Sequence, residues 1–430
     1  MDYRQTIRQI YDLQEFAIKL GLENILALSK RLGNPHLKYP VIHLAGTNGK
    51  GSTAFFIQQL LQHHGLKSGL FTSPHLTDYR ERIRIGDALI APEFVIDFWR
   101  QNKAFILNHK ATFFDTTTAM AFQYFAENKV DVAVIETGLG GRLDSTNIVQ
   151  AQTVVLTPVD FDHQKQLGNT LTAIAREKAG IIKPEATVFS APQAAEVLSE
   201  FLKHLRQLHL FHYLPDLLDI TILDSSLDKM TFELYLKQED RTLRFEAAQS
   251  ADFQVQNLAL AHQVAKNFLK KKGIPENEEK TKQVFASRFW PGRLQTVHQN
   301  PRIIFDVSHN LAGIKSTLAF VKKNVPENKI HLLIGLLEHK DFKNIVTFLG
   351  AQNLKIYLTE PPTEKRLPAK ELEKAFLFHG KTPRSVNDPL QTIRQLKEKM
   401  QRDEVLLVMG SHYLIGHLMK QMKNEPGFTF

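Results

Sequence analysis

His43-Leu44-Ala45-Gly46-Thr47-Asn48-Gly49-Lys50-Gly51-Ser52-Thr53 is the stretch on which the reading of this chain turns. An apolar run, Val41–Leu44, leads into a glycine-rich turn, and the turn leads into a helical stretch, Ser52–His64. Glycines let a backbone close round a phosphate with its N–H groups turned inward. The start of the helix adds partial positive charge. Lys50 supplies a full charge on the β/γ side of a triphosphate, and Ser52 a hydroxyl for the phosphates or a metal. The spacing departs from G-x-x-x-x-G-K-[ST]. Two residues separate Gly46 from Gly49, and Gly51 follows the lysine, so this is a variant phosphate loop.

Working outward, short apolar runs rich in β-branched residues recur at Ser68–Phe71, Val130–Ile135, Thr153–Leu156 and Thr187–Ser190, with helical stretches such as Thr170–Ala179 between them. The second half repeats the style, with strands at Ile303–Phe305, Ile330–Ile334, Ile356–Leu358 and Val405–Val408 and helices such as Gly313–Val321. Alternation of this kind predicts an α/β protein with parallel sheets flanked by helices. Residues 211–250 alternate apolar and polar side chains and read as a hairpin or meander, an accessory sheet on the first domain. Trp290-Pro291-Gly292 punctuates the chain and divides it into residues 1–294 and 295–430. Lys270-Lys271-Lys272 before Gly273 reads as a solvated helix C-terminus.

Composition narrows the function classes. The chain has 430 residues, enough for two or three domains, and its 43% hydrophobic and 23% charged content excludes disordered and fibrous classes. It contains no cysteine, which excludes thiol nucleophiles, disulfide scaffolds, zinc–cysteine sites and iron–sulfur clusters. A net charge of +9 favours an anionic partner. No stripe of basic and stacking aromatic residues points to nucleic acid. The first residues lack the apolar core of a signal peptide, and no run of 18 apolar residues occurs. The expectation is a cytoplasmic protein without a membrane partner.

Three further clusters lie just past predicted strand ends, where α/β sheets bind ligands. Glu136 opens Glu136-Thr137-Gly138-Leu139-Gly140-Gly141-Arg142-Leu143-Asp144 and is a candidate magnesium ligand. His163 closes Thr157-Pro158-Val159-Asp160-Phe161-Asp162-His163 and can ligate a metal as neutral imidazole, with Asp162 beside it. Ser73, in Thr72-Ser73-Pro74-His75, offers a hydroxyl. Read alone, these are equally a capping glutamate, a structural histidine and a loop-start cap.

Together the pieces resemble the folylpolyglutamate synthase and dihydrofolate synthase family of the Mur-ligase superfamily. The resemblance spans nearly the whole chain. It runs through Leu20-Gly21-Leu22, Gly33-Asn34-Pro35, AGTNGKGST, GLFTSPHL, RERIRI, ETGLGGRLDSTN, DHQKQLGNTLTAIAREKAGI, PGRLQ, DVSHN and GSHYLIG. It implies a two-domain architecture, with a phosphate-loop ATPase-type parallel sheet followed by a Rossmann-like glutamate-binding domain. It implies that Gly46, Thr47, Asn48, Gly49, Lys50, Gly51, Ser52 and Thr53 hold ATP, helped by Asn257, Arg293 and Asp306. Ser73, Glu136 and His163 match the family's ligands for one or two magnesium ions. Lys178 matches the lysine carried as a carbamate; read alone it is an exposed helix lysine. Asp306, His309 and Ser411 border the glutamate pocket, and Arg82 with Gly141–Asn147, Arg142 and Asp144 among them, forms the folate side. The implied catalytic set is Lys50, Lys178, Asp306 and His309.

The implied reaction is ATP-dependent. A folate carboxylate takes the γ-phosphate to give an acyl phosphate, and the amine of L-glutamate then forms the amide. Folate, L-glutamate and ATP are the implied partners, a monomer the implied state, and closure about Trp290–Arg293 the implied motion. The family's D-G-A-H-N-P reads here Asp306-Val307-Ser308-His309-Asn310-Leu311, so the backbone of that loop is expected to differ. The family's Gly-His-Gln reads Asp252-Phe253-Gln254, and His412 stands at a usually apolar position. A Mur-type ligase on peptidoglycan precursors and a nucleotide-binding regulator or nucleic-acid NTPase are the competing readings. TSPHL and RERIRI argue against the first, and two separate carboxylate or histidine clusters at strand ends against the second.

Overall fold

The computed structural model describes residues 2–13, 21–207, 210–248 and 251–430. Leu20 of the Leu20-Gly21-Leu22 segment lies outside these described residues. The chain divides into two compact units. One comprises Met1–Thr221, Glu233–Arg244 and Gln256–Phe285; the other comprises Ile222–Phe232, Phe245–Val255 and Ala286–Phe430.

The first unit is built on an eight-stranded sheet. Its strands are β1 (Val41–Ala45), β2 (Ser68–Phe71), β3 (Ile83–Ile85), β4 (Ala88–Leu89), β5 (Val132–Glu136), β6 (Thr153–Leu156), β7 (Thr187–Ser190) and β8 (Phe211–Tyr213), in the order β4-β3-β2-β5-β1-β6-β7-β8. The six strands from β2 to β8 run parallel, and β3 and β4 add an antiparallel margin. Every residue of β1, β5 and β6 is buried. That is why these strands read as continuous apolar runs rather than as alternating ones. Helices Lys50–His63, Phe113–Glu127 and Leu171–Ala179 cover the faces.

Three details differ from the sequence expectation. The phosphate-loop helix begins at Lys50, not Ser52. Strand β5 begins later than expected and takes Glu136 as its last residue. Residues 211–213 are the eighth strand of the main sheet; the meander proper is β9 (Leu218–Ser225), β10 (Lys229–Leu236) and β11 (Arg241–Ala248), a separate three-stranded sheet. The short β3, β4 and β8 carry too few residues for a period to be read.

The second unit takes in parts of β9, β10 and β11 and is built on a six-stranded sheet of β12 (Gln295–His298), β13 (Arg302–Asp306), β14 (Ile330–Ile334), β15 (Lys355–Leu358), β16 (Arg384–Ser385) and β17 (Val405–Met409), in the order β12-β13-β17-β14-β15-β16. Only β12 is antiparallel to its neighbour. Helices Leu311–Asn324, Phe342–Gly350, Pro389–Lys399 and His412–Met422 connect the strands. Both units are therefore α/β with predominantly parallel sheets, as the alternation predicts. Helix Asp252–Lys271 ends in the lysine run, whose three side chains are exposed, in keeping with a solvated C-terminus.

His43, in the centre of β1, is fully buried, and its Nε2 lies 2.8 Å from Thr146 Oγ1. Burial, with the Lys183 charge nearby, pulls its pKa down to about 3. The unfolded chain takes up a proton near pH 6.5 that the fold refuses. Stability is thus lost as pH falls below that value, by about 1.4 kcal/mol per pH unit from this residue. The melting temperature is expected to fall more steeply from pH 7 to 5 in the wild type than in His43→Gln; equal slopes would contradict the assignment.

Candidate active site

In the first unit, the phosphate loop sits where β1 gives way to its helix. Gly46 has φ +155°, and a Cβ there would lie 1.9 Å from Thr157 Oγ1. Gly49 has φ +87°, and a Cβ there would lie 2.4 Å from Asn257 Oδ1. Both positions require glycine, and Asn257 is thereby placed against the loop as the resemblance implies. No side chain caps the helix at Gly49. An uncapped helix start is an anion site, because its first N–H groups have no partner within the helix.

Other parts of the loop serve its shape. The N–H groups of Thr47 and Asn48 both donate to the Pro158 carbonyl, at 2.9 and 3.3 Å. Thr47 Oγ1 donates to the Asp160 carbonyl at 2.9 Å and accepts from the Asp160 N–H at 3.0 Å. These bonds fasten the phosphate loop to the loop that carries His163. Gln193 braces that second loop, accepting from Val159 N–H and donating to the Thr157 carbonyl. Sequence reading misses Pro158, Asp160 and Gln193 as positioning residues. A polar cluster just past β6 is the available signal for the first two; Gln193 gives none. Thr53 is fully buried in the first turn of helix Lys50–His63, and its N–H donates to the Gly49 carbonyl.

Two lysines converge on one carbonyl. Lys50 Nζ donates to Gly46 O at 3.0 Å and to Thr47 O at 3.2 Å, and Lys178 Nζ donates to Gly46 O at 2.7 Å. Lys178 is not the exposed helix lysine of the isolated reading; only 4% of it is exposed. Burial first, and the Lys50 charge second, lower its pKa to about 7, against the opposing pull of Asp162 and Asp144. A lysine at that value is substantially neutral at physiological pH and able to act as a nucleophile.

Glu136 ends β5 buried, and its Oε2 accepts the Ser73 N–H at 3.0 Å, which joins two of the three metal candidates. His163 caps the short helix Gln164–Leu167 with φ +51°, and its Nε2 lies 3.9 Å from Asp162 Oδ2. Among the described residues, no three His, Asp or Glu side chains converge as a preformed metal cage. That donor set still fits magnesium, which keeps most of its water and binds through one or two carboxylates plus substrate phosphates. A buried carboxylate and a serine hydroxyl are hard oxygen donors of the right kind.

On the implied folate side, Arg82 is buried, donates through Nε to His75 Nδ1 at 2.8 Å, and lies 5.1 Å over the Phe113 ring. Arg142 is paired with Glu177 at 2.9 Å and half exposed. Asp144 is buried, and its carboxylate accepts the N–H groups of Leu139 and Thr146 and the Thr146 hydroxyl, which shapes the loop.

The second unit places its candidates past the ends of β13 and β17. Asp306 is fully buried; Oδ2 accepts the Leu294 N–H at 2.9 Å, and Oδ1 accepts the Ser308 N–H and the Thr317 hydroxyl. These bonds tie Asp306 to the turn before β12 and to the loop after β13. Ser411 is likewise buried and caps the helix His412–Met422 through Leu414 N–H. Arg293 lies in the turn between Gly292 (φ +73°) and Leu294 (φ +46°), just before β12. His309 is partly exposed, with Nδ1 at 2.9 Å from the Val307 carbonyl and its ring 5.4 Å from His412. A carbonyl only accepts, so Nδ1 carries the proton and Nε2 is the basic nitrogen. The missing glycine and proline of this loop cause no strain. None of Val307, Ser308, His309 or Asn310 has positive φ, and Asn310 caps the following helix through Gly313 N–H.

Residues 44–265 match the Mur ligase middle domain, and residues 292–412 match the Mur ligase glutamate ligase domain. The chain is 32% identical to the dihydrofolate synthase/folylpolyglutamate synthase of Bacillus subtilis, over 98% of this chain and 99% of that one. It is 32% identical to the folylpolyglutamate synthase of Lacticaseibacillus casei, over 96% and 97%. Among solved structures, the folylpolyglutamate synthase of Thermotoga maritima aligns with TM-score 0.83 at 27% identity, over 99% of this chain and 97% of that one. A folylpolyglutamate synthase in complex with AMPPCP and folate aligns with TM-score 0.83 at 29% identity, over 98% and 100%. The chain belongs to the folylpolyglutamate synthase/dihydrofolate synthase family of Mur ligases.

Proposed function

We propose that this protein is an ATP-dependent ligase that joins L-glutamate to the γ-carboxylate of a reduced folate or of its polyglutamates. The observation that carries the reading is the pair of lysines on the Gly46 carbonyl, beside an uncapped helix start and with Glu136 ending the neighbouring strand β5. Such a site suits a reaction in which two anions, a carboxylate and a triphosphate, must meet.

The folate carboxylate attacks the γ-phosphorus of ATP, the β–γ bridging bond breaks, and ADP leaves with an acyl phosphate formed. Lys50 leaves its loop carbonyls for the phosphates and offsets their charge through the transfer. The α-amine of glutamate then attacks the acyl carbon, inorganic phosphate leaves, and the amide remains. The amine must be free of its extra proton, and His309 Nε2 is the acceptor we assign. Glu136, Ser73 and His163 would hold magnesium, which would supply charge neutralisation for the phosphates. Lys178 in its neutral form adds CO₂, loses one proton and becomes a carbamate anion. That change places a negative charge next to Lys50 and would supply a ligand for a second cation. Residues 1–294 are assigned to ATP and folate, and 295–430 to glutamate.

Dihydrofolate synthase activity is a second reading, because the relative from Bacillus subtilis carries both activities in its name. Phosphate release with ATP, Mg²⁺ and L-glutamate is expected with tetrahydrofolate. Release with dihydropteroate as well would make the enzyme bifunctional, and release with neither acceptor would reject the folate assignment.

Lys178→Met is expected to lower kcat by roughly 10²–10³. In ¹³C-bicarbonate the wild type is expected to show a carbamate carbonyl resonance that the variant lacks; its absence from the wild type would overturn carbamylation. His309→Ala is expected to cost about 10²–10⁴ in kcat. Its rate should rise with pH more steeply than that of the wild type, and full turnover at low glutamate would remove His309 from the mechanism.

A further inference from the structure

The second unit holds a cavity of about 480 Å³ at the edge of its sheet opposite to Asp306, His309 and Ser411. Its lining includes His331 near the start of β14, Lys355 and Arg384 at the starts of β15 and β16, and Glu404 just before β17. Helix Pro389–Lys399 closes one side. The five residues of β17 span about 17 Å, so an occupant of this cavity does not touch the loop that follows the strand.

The charges here are unevenly spent. His331 is buried, its ring parallel to Tyr357 with centroids 5.9 Å apart. Its Nε2 lies 3.2 Å from Glu404 Oε1, which also accepts from Lys355 Nζ at 2.5 Å, while Glu404 Oε2 accepts the Gln401 N–H. The Glu404 carboxylate is thus fully engaged. Asp388, the other carboxylate of the lining, caps the helix through the Gln391 N–H at 3.0 Å. Arg384, on β16, and Lys399, at the end of helix Pro389–Lys399, have no ion pair or hydrogen bond among the described residues. Two uncommitted cations therefore line a concave space in which one acid, Glu404, is paired with Lys355 and the other, Asp388, is engaged at the helix start. A guanidinium fork and an ammonium suit an anion with two or more oxygens. The volume lies in the range of metabolite sites.

We propose that this cavity binds a small polyanion bearing phosphate or several carboxylates, apart from the reaction site. The test is calorimetric titration of the full chain with pyrophosphate and, separately, with citrate. Saturating AMPPCP and Mg²⁺ keep the phosphate loop occupied throughout. One probe is expected to bind with one site per chain, and which one binds distinguishes a phosphate from a carboxylate ligand. Affinity should fall about tenfold or more in the Arg384→Gln/Lys399→Gln variant. It should fall less in each single variant, and be retained in Arg384→Lys/Lys399→Arg. ATP turnover should be unchanged in all of these, which reports an intact fold. Binding by the double glutamine variant equal to wild type, or no binding of either probe by the wild type, would overturn the proposal.

Discussion

The Gly46 carbonyl oxygen accepts an ammonium hydrogen bond from each of two lysines, and the rest of the nucleotide end of this fold is arranged round that contact. One oxygen has two lone pairs, so the geometry is available, but two cations sharing it in a buried setting repel. The fold relieves the repulsion by making one of the two a poor base. Lys178, sealed from water, gives up its charge near neutral pH, while the partly exposed Lys50 lies closer to solvent. The result is a loop whose positive charge is concentrated on the residue that can reach out of it.

Strand register brings the loops to this place. Leu44 pairs with Glu136 and Ala45 with Leu156, while Phe71 pairs with Ile135. Four neighbouring parallel strands therefore end at one level, and the segments carrying Ser73, Gly46, Glu136 and His163 leave the sheet on the same edge. A slip of one residue would turn Glu136 to the opposite face of the sheet, where helices pack. The Thr47–Asp160 clasp then fixes two of those loops to each other without using either candidate ligand.

Much of this arrangement is legible in the amino-acid sequence. Val41–Leu44, Thr153–Leu156 and Ile330–Ile334 each hold a single polar residue, His43, Thr153 and His331, in an otherwise apolar run, so a pattern without strict alternation fits a buried strand or a short buried helix. Alternation with longer helical runs decides between the two. The phosphate loop declares itself by glycines whose need is visible in Thr157 and Asn257. What stays hidden is burial that depends on distant segments. Lys178 lies on a helix with an ordinary polar sequence, and nothing local says that Gly46 will meet it from 132 residues away. Phe211–Tyr213 reads as the start of the meander because its three residues are too few to show a period of their own and lie directly before it. Only tertiary pairing with β7 assigns it to the main sheet.

The acids and hydroxyls that stand out most in the motifs turn out to be those most occupied by backbone. Asp144, Asp306 and Ser411 are buried, and each takes loop or helix N–H groups. This follows from solvation. A carboxylate removed from water is tolerable only with two or three good donors, and a tight loop supplies them from its own amides. In return the carboxylate fixes the curvature of the loop, and the side chain one or two positions away inherits a defined direction. His309 stands in that relation to Asp306, with its Nδ1 held by the Val307 carbonyl of the same loop. Spacing within a motif therefore separates two kinds of residue that composition cannot tell apart. The buried acid sets the loop, and the partly exposed base beside it is left with a nitrogen that can take a proton.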